Sequence, residues 1–419
     1  MTAAALPLGG EARRDSMHIL LVHQLFLRGD DAGMSQHYDF ARHLVRSGHR
    51  VTVLAGRRSY LTGTAVSTTR RQVLEPGLEV IPCAQVGGVH RSFVWRTVGF
   101  LSFMLSSLVA GLRVPQVDVV WTTSPPLPQV CTAWFVAWVR RRPWVFEIRD
   151  LWPTVAVEMG ILRNRLLIAI AGAVEGFLYR WATKIVVNSP GFLPYLRGRS
   201  IPSARIEVVP NGVDPSAFAP EDRGESFRRA HGLQDRFVVL YAGAHGQAND
   251  LMTLLAAAER MQDEPRVVFV LVGDGKQKPS LMAAAAQKRL DNVLFLAAVP
   301  RVQIAGVVAA ADVGVATLKP IPLFATVYPN KVFDYMAAGR PVVLAMDGAI
   351  RALVEQAGAG LVVRPGDAAA LSEAVRSLLR DPVAARRMGA RGRACVEAGF
   401  DRRRSAEKLE RLLQAAVRS

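Results

Sequence analysis

A lysine and an aspartate near the start of one predicted helix are the residues best suited to bind an anionic ligand. The segment ATVYPNKVFDYMAAGRPVVLA, residues 325–345, is typical of a loop followed by a helix, a turn and a strand. Asn330 is a candidate N-cap, and Asp334 is predicted to follow in the first turn. Because Lys331 opposes the helix dipole, we expect a negative group to lie in front of it.

These groups together match the chemistry of a nucleoside diphosphate. The first amides of the helix after Pro329 have no partner within the helix, so they form a potential anion site. Lys331 adds a mobile positive charge, and Asp334 can accept two hydrogen bonds from a vicinal diol such as a ribose. The alternative is a capped surface helix with a solvated lysine, which the apolar flanking residues disfavour.

A glycine-containing turn is a second candidate for ligand binding. VGDGK, residues 272–276, follows a predicted strand and precedes a predicted helix near Pro279. Gly273 and Gly275 would let the backbone approach a ligand closely. A plain tight turn between a strand and a helix has the same pattern, so both interpretations stay open.

The composition excludes several classes of function. The 419 residues carry 52 Lys and Arg against 35 Asp and Glu, and the net charge of +17 favours anionic partners such as phosphorylated substrates or anionic lipids. The arginines are not interleaved with aromatic residues and no nucleic-acid-binding motif occurs, so no nucleic-acid partner is expected. The scattered histidines and the lack of any Asp-x-Asp predict no metal site, and the three distant cysteines predict no disulfide framework.

Strand-like apolar runs alternate with helix-like segments in both halves of the sequence. The runs are HILLV (18–22), VTVLA (51–55), LEVIP (78–82), VDVVWTT (117–123), WVFEI (144–148), KIVVN (184–188), FVVLYAG (237–243), VVFVLVGDG (267–275), NVLFL (292–296), ADVGVAT (311–317), RPVVLA (340–345) and AGLVV (359–363). Continuous apolar strands joined by helices indicate parallel sheets that are covered on both faces. Residues 206–220 are rich in Pro, Asn and Gly without periodicity, and are predicted to be a linker.

The predicted fold class is therefore α/β, with two doubly wound, Rossmann-like domains that face a central cleft. We expect a disordered leader (1–16), an N-terminal domain (17–210), a C-terminal domain (211–398) and a C-terminal helix that packs back on the N-terminal domain (399–419). Met1 and Met17 are both candidate starts, because the first predicted strand begins beside Met17.

Motifs in both halves of the chain resemble those of one enzyme family. They are SGHRVTVLAG, TTSPPLP and FEIRDLWP in the first half, and VVPNGVDPSAF, LVGDGKQK, VPRVQIAGVVAAADVGVATL, PNKVFDYMAAGRPVV and AGAGLVVRPGD in the second. From Met17 onward the chain resembles the retaining glycosyltransferases of family 4, which have the two-domain architecture called GT-B. It is most similar to bacterial enzymes that add N-acetylhexosamines or fucosamines during O-antigen, capsule and exopolysaccharide assembly.

The resemblance implies a reaction, its partners and a location. A sugar would move from a nucleotide-sugar donor, with UDP favoured, to a lipid-linked glycan acceptor such as an undecaprenyl-diphosphate sugar. The N-terminal domain would bind the acceptor and the C-terminal domain the donor. The leaving diphosphate would assist deprotonation, without a metal, another cofactor or a protein nucleophile. The protein would be cytoplasmic and peripheral on the inner face of the cell membrane.

The sequence departs from the family pattern at two places in the donor domain. The family carries two glutamates eight positions apart, and the corresponding residues here are Thr326 and Asp334. The Gly-Arg…Lys pair of the family is also missing, because the loop AGAHGQAND has Ala244 and Asn249 at the expected basic positions. The charge of the phosphates must therefore be met by other groups.

The candidates to meet this charge are Lys331, Arg301 and the helix amides. His245 could touch the phosphates or the sugar, although a lone histidine on a loop is more often solvated. The full set of candidate donor-binding residues is Gly243, His245, Gly273, Gly275, Arg301, Thr326, Pro329, Asn330, Lys331, Val332 and Asp334.

The predicted acceptor side lies in FEIRDLWP, residues 146–153, where a strand ends next to two charged residues. The resemblance makes Asp150 and Arg149 candidate catalytic residues together with Lys331 and Asp334. Asp150 would orient the acceptor hydroxyl or take its proton, and the alternative is that it caps the following turn. Gly33, Met34 and Ser35 match a glycine-rich loop that would contact the donor phosphates or the acceptor.

An apolar segment in the N-terminal domain bears on membrane contact. Residues 97–112 are uncharged, but the segment is shorter than the roughly 20 residues that a membrane-spanning helix needs. It is predicted either to lie in a membrane interface or to be an ordinary buried helix. Two other functions also stay open, a nucleotide-sugar epimerase or hydrolase of the same fold and a non-catalytic nucleotide-sugar-binding protein.

Overall fold

The computed structural model describes residues 16–26, 36–57, 71–86 and 93–419, without the side chains of residues 93, 94 and 96. The predicted leader, except for Ser16, and the predicted loop residues Gly33, Met34 and Ser35 lie outside the described residues.

The N-terminal domain is built on an eight-stranded sheet in the order β3-β4-β2-β1-β5-β6-β7-β8. All neighbouring strands are parallel except β3 and β4. The strands are β1 (His18–Val22), β2 (Arg50–Gly56), β3 (Gln72–Glu75), β4 (Leu78–Cys83), β5 (Val119–Ser124), β6 (Trp144–Ile148), β7 (Lys184–Val187) and β8 (Ile206–Val208). Its helices are α1 (Gln36–Arg46), α2 (Phe93–Arg113), α3 (Leu127–Arg140), α4 (Thr154–Glu158), α5 (Arg165–Trp181) and α6 (Leu193–Gly198).

The C-terminal domain is built on a six-stranded, wholly parallel sheet in the order β11-β10-β9-β12-β13-β14. The strands are β9 (Phe237–Ala242), β10 (Val267–Val272), β11 (Val293–Leu296), β12 (Val313–Thr317), β13 (Val342–Ala345) and β14 (Gly360–Val363). The helices are α7 (Glu225–Ala230), α8 (Leu251–Glu259), α9 (Lys278–Gln287), α10 (Ile304–Ala309), α11 (Asn330–Ala337), α12 (Ala349–Ala357), α13 (Ala368–Arg380), α14 (Pro382–Gly399) and α15 (Arg402–Arg418). This two-domain α/β architecture confirms the predicted fold class.

Each apolar run that was predicted to be a strand forms one, with ends shifted by at most three residues. Two strands escaped prediction. β3 is a four-residue antiparallel edge strand, and β8 lies at the start of the segment that was predicted to be a linker. Both are short and partly exposed, so neither carries the continuous apolar pattern of a buried strand.

The two faces of the first sheet are covered by different sets of helices. Helices α2, α3 and α5 contribute to the apolar core on one face, whereas α1 and α15 contribute to the core on the other. The last helix therefore leaves the C-terminal domain and packs on the N-terminal one. Arg402, at its first turn, donates hydrogen bonds to Asp39 in α1 at 2.6 Å and to the carbonyl oxygen of Gly212 at 3.0 Å.

The strand order of each sheet reverses direction at one point, between β1 and β5 in the first sheet and between β9 and β12 in the second. Loops on the two sides of such a switch point diverge and leave a crevice at the carboxyl ends of the strands, where ligands bind in open α/β sheets. The two domains also touch near this edge. The backbone N–H of Leu323 donates to Glu158 at 3.2 Å, and Gly191 packs on the backbone of Thr326.

We predict that Leu413→Ala lowers the free energy of unfolding of the N-terminal domain by about 2–5 kcal/mol, because it leaves a cavity under α15. Leu413 is fully buried, whereas Val417 on the same helix is 38% exposed. All seven tryptophans lie in the N-terminal domain, so urea unfolding followed by tryptophan fluorescence reports on this domain. Val417→Ala is the control, with an expected change within roughly 0.5 kcal/mol. Equal effects of the two substitutions would contradict the docking of α15.

Candidate active site

Helix α11 carries the lysine and the aspartate of the predicted phosphate site, but it begins differently from the prediction. Asn330 is the first helical residue, and Pro329 occupies the N-cap position without a side-chain cap. The predicted N-cap role of Asn330 is therefore wrong, because the rigid backbone of Pro329 already ends the preceding loop. The first turn contains no acidic residue, so Asp334 lies one turn further along than predicted.

Packing fixes the position of α11 on the sheet. Six of its eight residues are buried, among them Val332, so this predicted donor contact is a core side chain instead. The ring of Tyr335 lies against Gly314 in β12, where a Cβ would approach the ring to 2.3 Å. The Tyr335 hydroxyl accepts a hydrogen bond from the backbone N–H of Ala242 at 2.9 Å. The polar residues of α11 are thus held at the end of β9.

Lys331 projects into the crevice at the switch point of the second sheet. Its Nζ donates to the Tyr241 hydroxyl at 2.9 Å and to Asn249 Oδ1 at 3.1 Å, and lies 4.2 Å from the centre of the Tyr241 ring. Burial lowers the pKa of Lys331 to about 7. The alternative of a solvated lysine is therefore wrong. The site instead holds an amine that lacks a carboxylate partner in the described part of the chain, and a bound anion would restore its charge.

Asp334 and Arg301 form a bidentate ion pair. The two guanidinium Nη atoms of Arg301 donate to the two carboxylate oxygens of Asp334, each at 2.9 Å. The Asp334 charge raises the pKa of Arg301. This arrangement compensates the charge of Arg301, which sequence reasoning had assigned to the phosphates. Each Asp334 oxygen retains a second lone pair that could accept from a diol.

The three predicted loop glycines lie together at the carboxyl ends of β9 and β10. A Cβ on Gly273 would lie 1.9 Å from the carbonyl oxygen of Gly243, and a Cβ on Gly275 would lie 2.6 Å from that of His245. Their φ angles of 151° and 157° also favour glycine. In the structure these glycines allow the two loops to pack on each other. The stem of Lys331 passes beside Gly243, where a Cβ would lie 3.1 Å from Cε.

His245 is fully buried between these loops, which contradicts the alternative of a solvated loop histidine. Neither ring nitrogen has a hydrogen-bond partner among the described residues. Burial and then the charge of Lys278 lower the pKa of His245 to about 4, so the ring is neutral at physiological pH. Lys278, which the sequence analysis did not single out, donates to the carbonyl oxygens of Gly273 and Leu296, both at 2.8 Å. A neutral imidazole can still donate one hydrogen bond to an anion.

Thr326 ends the short 3-10 helix Pro322–Thr326 at the contact between the domains. Its hydroxyl donates to the carbonyl oxygen of Leu323 at 2.7 Å. Gly191 of the N-terminal domain comes so close to this backbone that a Cβ there would lie 2.4 Å from the Thr326 carbonyl oxygen. Thr326 therefore forms part of the junction between the domains.

Arg149 and Asp150 follow β6 at the carboxyl edge of the first sheet. Arg149 Nη1 donates to Gln36 at 2.7 Å and to Glu147 at 3.3 Å. Burial raises the pKa of Asp150 to about 6, against the opposing effect of the Arg149 charge. The N-cap of α4 is Pro153 without a side-chain cap, so Asp150 does not cap this helix.

A buried polar cluster beneath Arg149 escaped sequence reasoning. Glu147 accepts hydrogen bonds from His37 Nε2 at 2.9 Å and from Trp121 Nε1 at 3.1 Å, in addition to Arg149. Burial alone would raise the pKa of Glu147, but His37 and Arg149 outweigh it and lower this pKa. The His23 ring packs edge-on against His37 with centroids 4.3 Å apart. The available signal was a glutamate inside the otherwise apolar run WVFEI.

No group of histidine, cysteine and acidic side chains suited to a metal ion occurs in the described parts of the chain. Within the same residues, no helix combines the length and the apolar character that crossing a bilayer requires.

Two family profiles match the two domains separately. Residues 33–212 match the family described as glycosyl transferase 4-like domain, and residues 236–381 match the family described as glycosyl transferases group 1. The chain combines a glycosyl transferase 4-like domain with a glycosyl transferases group 1 domain. The crevice with Lys331 lies in the group 1 domain, and the cluster around Arg149 lies in the 4-like domain.

The curated relatives resemble part of this pair of glycosyltransferase domains. A D-inositol 3-phosphate glycosyltransferase of Nocardia farcinica is 30% identical over 222 residues, which cover 51% of this chain and 48% of that protein. A GDP-mannose-dependent alpha-(1-6)-phosphatidylinositol monomannoside mannosyltransferase of Mycolicibacterium smegmatis is 29% identical over 221 residues, covering 51% and 57%. The chain thus spans about half the length of the curated relatives it matches.

Solved structures share the whole two-domain glycosyltransferase fold at low identity. The sucrose-phosphate synthase of Thermosynechococcus elongatus superposes with a TM-score of 0.75 at 21% identity, over 95% of this chain and 98% of that one. HepE of Anabaena, in complex with UDP-glucose, superposes with a TM-score of 0.71 at 19% identity, over 95% and 100%. These similarities show the GT-B fold.

We predict that the affinity for UDP falls as the pH rises above about 7, by up to tenfold per pH unit. The pKa of Lys331 is about 7 in the free protein, and a bound diphosphate must raise it, so the complex holds a proton that the free protein has lost. The phosphates of UDP are fully ionised above roughly pH 7. His245 and Tyr241 titrate outside this range, because burial lowers the pKa of the first and raises that of the second.

Isothermal titration between pH 7 and 9, in buffers of different ionisation enthalpy, measures both the affinity and the proton uptake. Lys331→Met should bind UDP weakly and without this pH dependence. Lys288→Met is the matched control, because Lys288 lies at the far end of α9 and pairs with Glu259. A wild-type affinity that does not change across this range would refute the prediction.

Proposed function

We propose that the protein is a glycosyltransferase that moves a sugar from a nucleoside diphosphate sugar to a hydroxyl group of a glycan acceptor. The observation that carries the proposal is the amine of Lys331. It is partly buried at the switch point of the second sheet, where a hydroxyl and an amide oxygen, and no carboxylate of the described residues, accept its hydrogen bonds. Such a group favours a ligand that brings its own negative charge, as a diphosphate does.

The donor site is proposed to hold the diphosphate between Lys331, the first amides of α11 and the His245 ring. His245 is buried, and its ring nitrogens have no hydrogen-bond partner within the described parts of the chain, which supports a role as a neutral hydrogen-bond donor. Asp334, oriented by Arg301, would accept from the ribose hydroxyls. We favour UDP because the HepE structure of the same fold contains UDP-glucose. GDP is the alternative, because the mannosyltransferase relative is described as GDP-mannose-dependent.

The proposed reaction retains the anomeric configuration and needs no metal. The bond between the anomeric carbon and the diphosphate oxygen breaks, and its electron pair leaves with the diphosphate. The acceptor oxygen bonds to the same face of the sugar, and its proton passes to a leaving phosphate oxygen. Lys331 stabilises the charge that develops on the diphosphate, and Asp150 accepts a hydrogen bond from the acceptor hydroxyl and orients it.

The acceptor is proposed to be lipid-linked, in the assembly of a surface polysaccharide such as an O-antigen or exopolysaccharide. One relative is named for a phosphatidylinositol monomannoside, which is itself a glycolipid. The net charge of +17 would favour contact with an anionic membrane surface from the cytoplasmic side. No nucleic-acid partner is proposed.

A non-catalytic nucleotide-sugar-binding protein is the second candidate. It is favoured by the uncharged Thr326 at the position of a family glutamate and by Ala244 and Asn249 at the positions of the family's basic pair. Release of UDP that depends on an acceptor separates the two functions. Release without an acceptor would instead indicate a hydrolase.

We predict that UDP-sugars raise the melting temperature of the wild-type protein by a few degrees, because a ligand at about 100 times its Kd stabilises the folded state by roughly 2.7 kcal/mol. Lys331→Met should lose this shift, and Lys288→Met should keep it. The assay uses a panel of UDP- and GDP-sugars. No shift with any of them, or an equal shift in Lys331→Met, would contradict the proposed donor site.

We predict that the rate of sugar transfer falls below about pH 6 and that Asp150→Asn lowers kcat about tenfold, because a neutral amide oxygen accepts a weaker hydrogen bond than a carboxylate does. The pKa of Asp150 is about 6, and only the ionised carboxylate can accept from the acceptor hydroxyl without a competing proton. The pH profile of kcat/KM for UDP release checks this. Asp150→Asn should retain the UDP-induced thermal shift and lose the acidic limb, and an unchanged limb would exclude Asp150 as its source.

A further inference from the structure

An exposed apolar stripe runs the length of α2. Its members are separated by three or four residues, so they lie on one face of the helix. They are Trp95, Val98, Leu101, Leu105, Val109 and Leu112. The opposite side of α2 is buried, with Phe103 in the core and Gly111 against Val136 of α3. One side of α2 is therefore core, as the prediction of a buried helix requires, and the other side is exposed.

The neighbouring helices α3 and α5 extend this apolar surface. On α5 the exposed side chains again share one face, and they are Leu166, Leu167, Ile170, Phe177 and Trp181. On α3 they are Trp138 and Val139. Helix α3 lies between α2 and α5 and contacts both. We call the exposed side of these three helices the α2/α3/α5 face. Leu105, Trp138, Leu166 and Trp181 are each 59–69% exposed.

A pocket of about 600 Å³ opens where α3 and α5 end. Its walls include Trp134, Trp138, Trp144, Trp181, Arg141 and Arg142. The ring planes of Trp134 and Trp138 are nearly parallel, at 19°, with centroids 6.3 Å apart. Because Trp144 begins β6, the pocket lies at the amino edge of the sheet, opposite the crevice with Arg149 and Asp150. It is therefore separate from the proposed active site.

Apart from one buried glutamate, the charged residues of the three helices of the α2/α3/α5 face are all basic. Helices α2 and α3 contain no acidic residue, and α5 contains only Glu175. Glu175 is fully buried and accepts hydrogen bonds from Tyr179 and Tyr195 at 2.7 and 2.8 Å. The arginines along the three helices and at their ends are Arg113, Arg140, Arg141, Arg142, Arg163, Arg165 and Arg180.

We propose that the α2/α3/α5 face docks the protein on an anionic lipid bilayer, with its apolar side chains in the interface and its arginines at the head groups. The docking rests on the proposed function in one respect, because a docked enzyme would meet its lipid-linked acceptor at the membrane. The side chains of the face indicate that its partner is a lipid bilayer. Amphipathic helices with aromatic and aliphatic residues on one side and flanking arginines lie in the plane of a membrane interface, and anionic lipids attract such arginines.

The size of the face supports a bilayer rather than a small ligand. The 21 residues of α2 extend over about 30 Å, and the stripe runs along most of this length. Tryptophan at both ends of the face, Trp95 at one and Trp138 with Trp181 at the other, suits the boundary between head groups and acyl chains.

The chain direction connects this face with the crevice. Helix α2 follows β4 and leads into β5, while α5 precedes β7, so both helices begin at the carboxyl edge of the parallel sheet and end at its amino edge. One end of the face therefore borders the edge at which Arg149 and Asp150 lie. A lipid-linked sugar emerging from the docked bilayer could reach that edge without the protein leaving the membrane.

Co-sedimentation of the full chain with vesicles tests the proposal without any substrate. The probes are vesicles of phosphatidylcholine alone and vesicles with about one third phosphatidylglycerol. We expect the wild-type protein to bind the anionic vesicles at least about tenfold more tightly, with binding that weakens as salt is added. Equal binding to both vesicle types, or no binding to either, would overturn the proposal.

Two sets of variants locate the binding surface. The triple variant Leu105→Asn, Trp138→Asn and Leu166→Asn should lower the partition coefficient at least about tenfold, because it removes three exposed apolar side chains. Its matched control carries Met252→Asn, Met282→Asn and Val383→Asn, which are exposed apolar residues on helices of the other domain. If the two triple variants bind vesicles equally, the face is not the docking surface.

A double arginine variant and a matched control test the charge of the α2/α3/α5 face. Arg113→Glu with Arg180→Glu should weaken binding to anionic vesicles about tenfold and leave binding to neutral vesicles unchanged. The control is Arg386→Glu with Arg387→Glu, an exposed pair on α14.

Each variant must keep the wild-type melting temperature and its response to UDP-glucose, so a failure of docking is distinguished from a failure of the donor site. A wild-type dimer in sedimentation velocity that the Leu105, Trp138 and Leu166 variant converts to monomer would overturn the proposal in favour of a second copy.

Discussion

The close packing of α11 on the second sheet is the constraint on which the candidate donor site depends. Tyr335 sits on Gly314 with no room for a side chain there, and its hydroxyl accepts from the end of β9. The helix therefore cannot shift toward solvent without losing its buried contacts. Lys331 must then extend into the crevice between β9 and β12, where burial lowers its pKa to about 7. The apolar contacts of α11 thus fix the electrostatics of the site.

The two domains place different kinds of charge at their switch points. In the second sheet a cation is held by neutral acceptors, so its charge is available to a ligand. In the first sheet Arg149 is held by the buried carboxylate of Glu147, which in turn binds His37 and Trp121. Asp150 is the next residue in the chain, and burial raises its pKa to about 6. One side thus suits an anionic leaving group, and the other can accept a hydrogen bond from a hydroxyl.

Sequence reasoning predicted the parallel strands and the two-domain division, because short continuous apolar runs between helix-like segments are typical of buried parallel strands. It missed β8, since a three-residue, half-exposed strand next to Pro and Gly resembles a linker.

Sequence reasoning located Lys331 in the candidate site but not Tyr241. The sequence pattern marks Tyr241 as a core residue, and only its hydroxyl makes a polar contact. It did not predict that His245 is buried, because the burial of this loop depends on Gly273 and Gly275 allowing a neighbouring loop to approach. Such contacts depend on three-dimensional packing that residue spacing alone does not define.

The loop of residues 242–250 contains no basic residue, and the positive charge beside it comes from another element of the domain. The resemblance leads one to expect a basic side chain at position 249, but Asn249 instead offers its Oδ1 to Lys331 at 3.1 Å. The positive charge therefore comes from α11, from the far side of the crevice, and the loop supplies only the acceptor that orients it. A lysine has the flexible four-carbon stem for this reach, and its pKa responds to burial far more readily than that of an arginine. A site built in this way gains its full charge when an anion arrives, which ties the protonation of Lys331 to occupancy of the crevice.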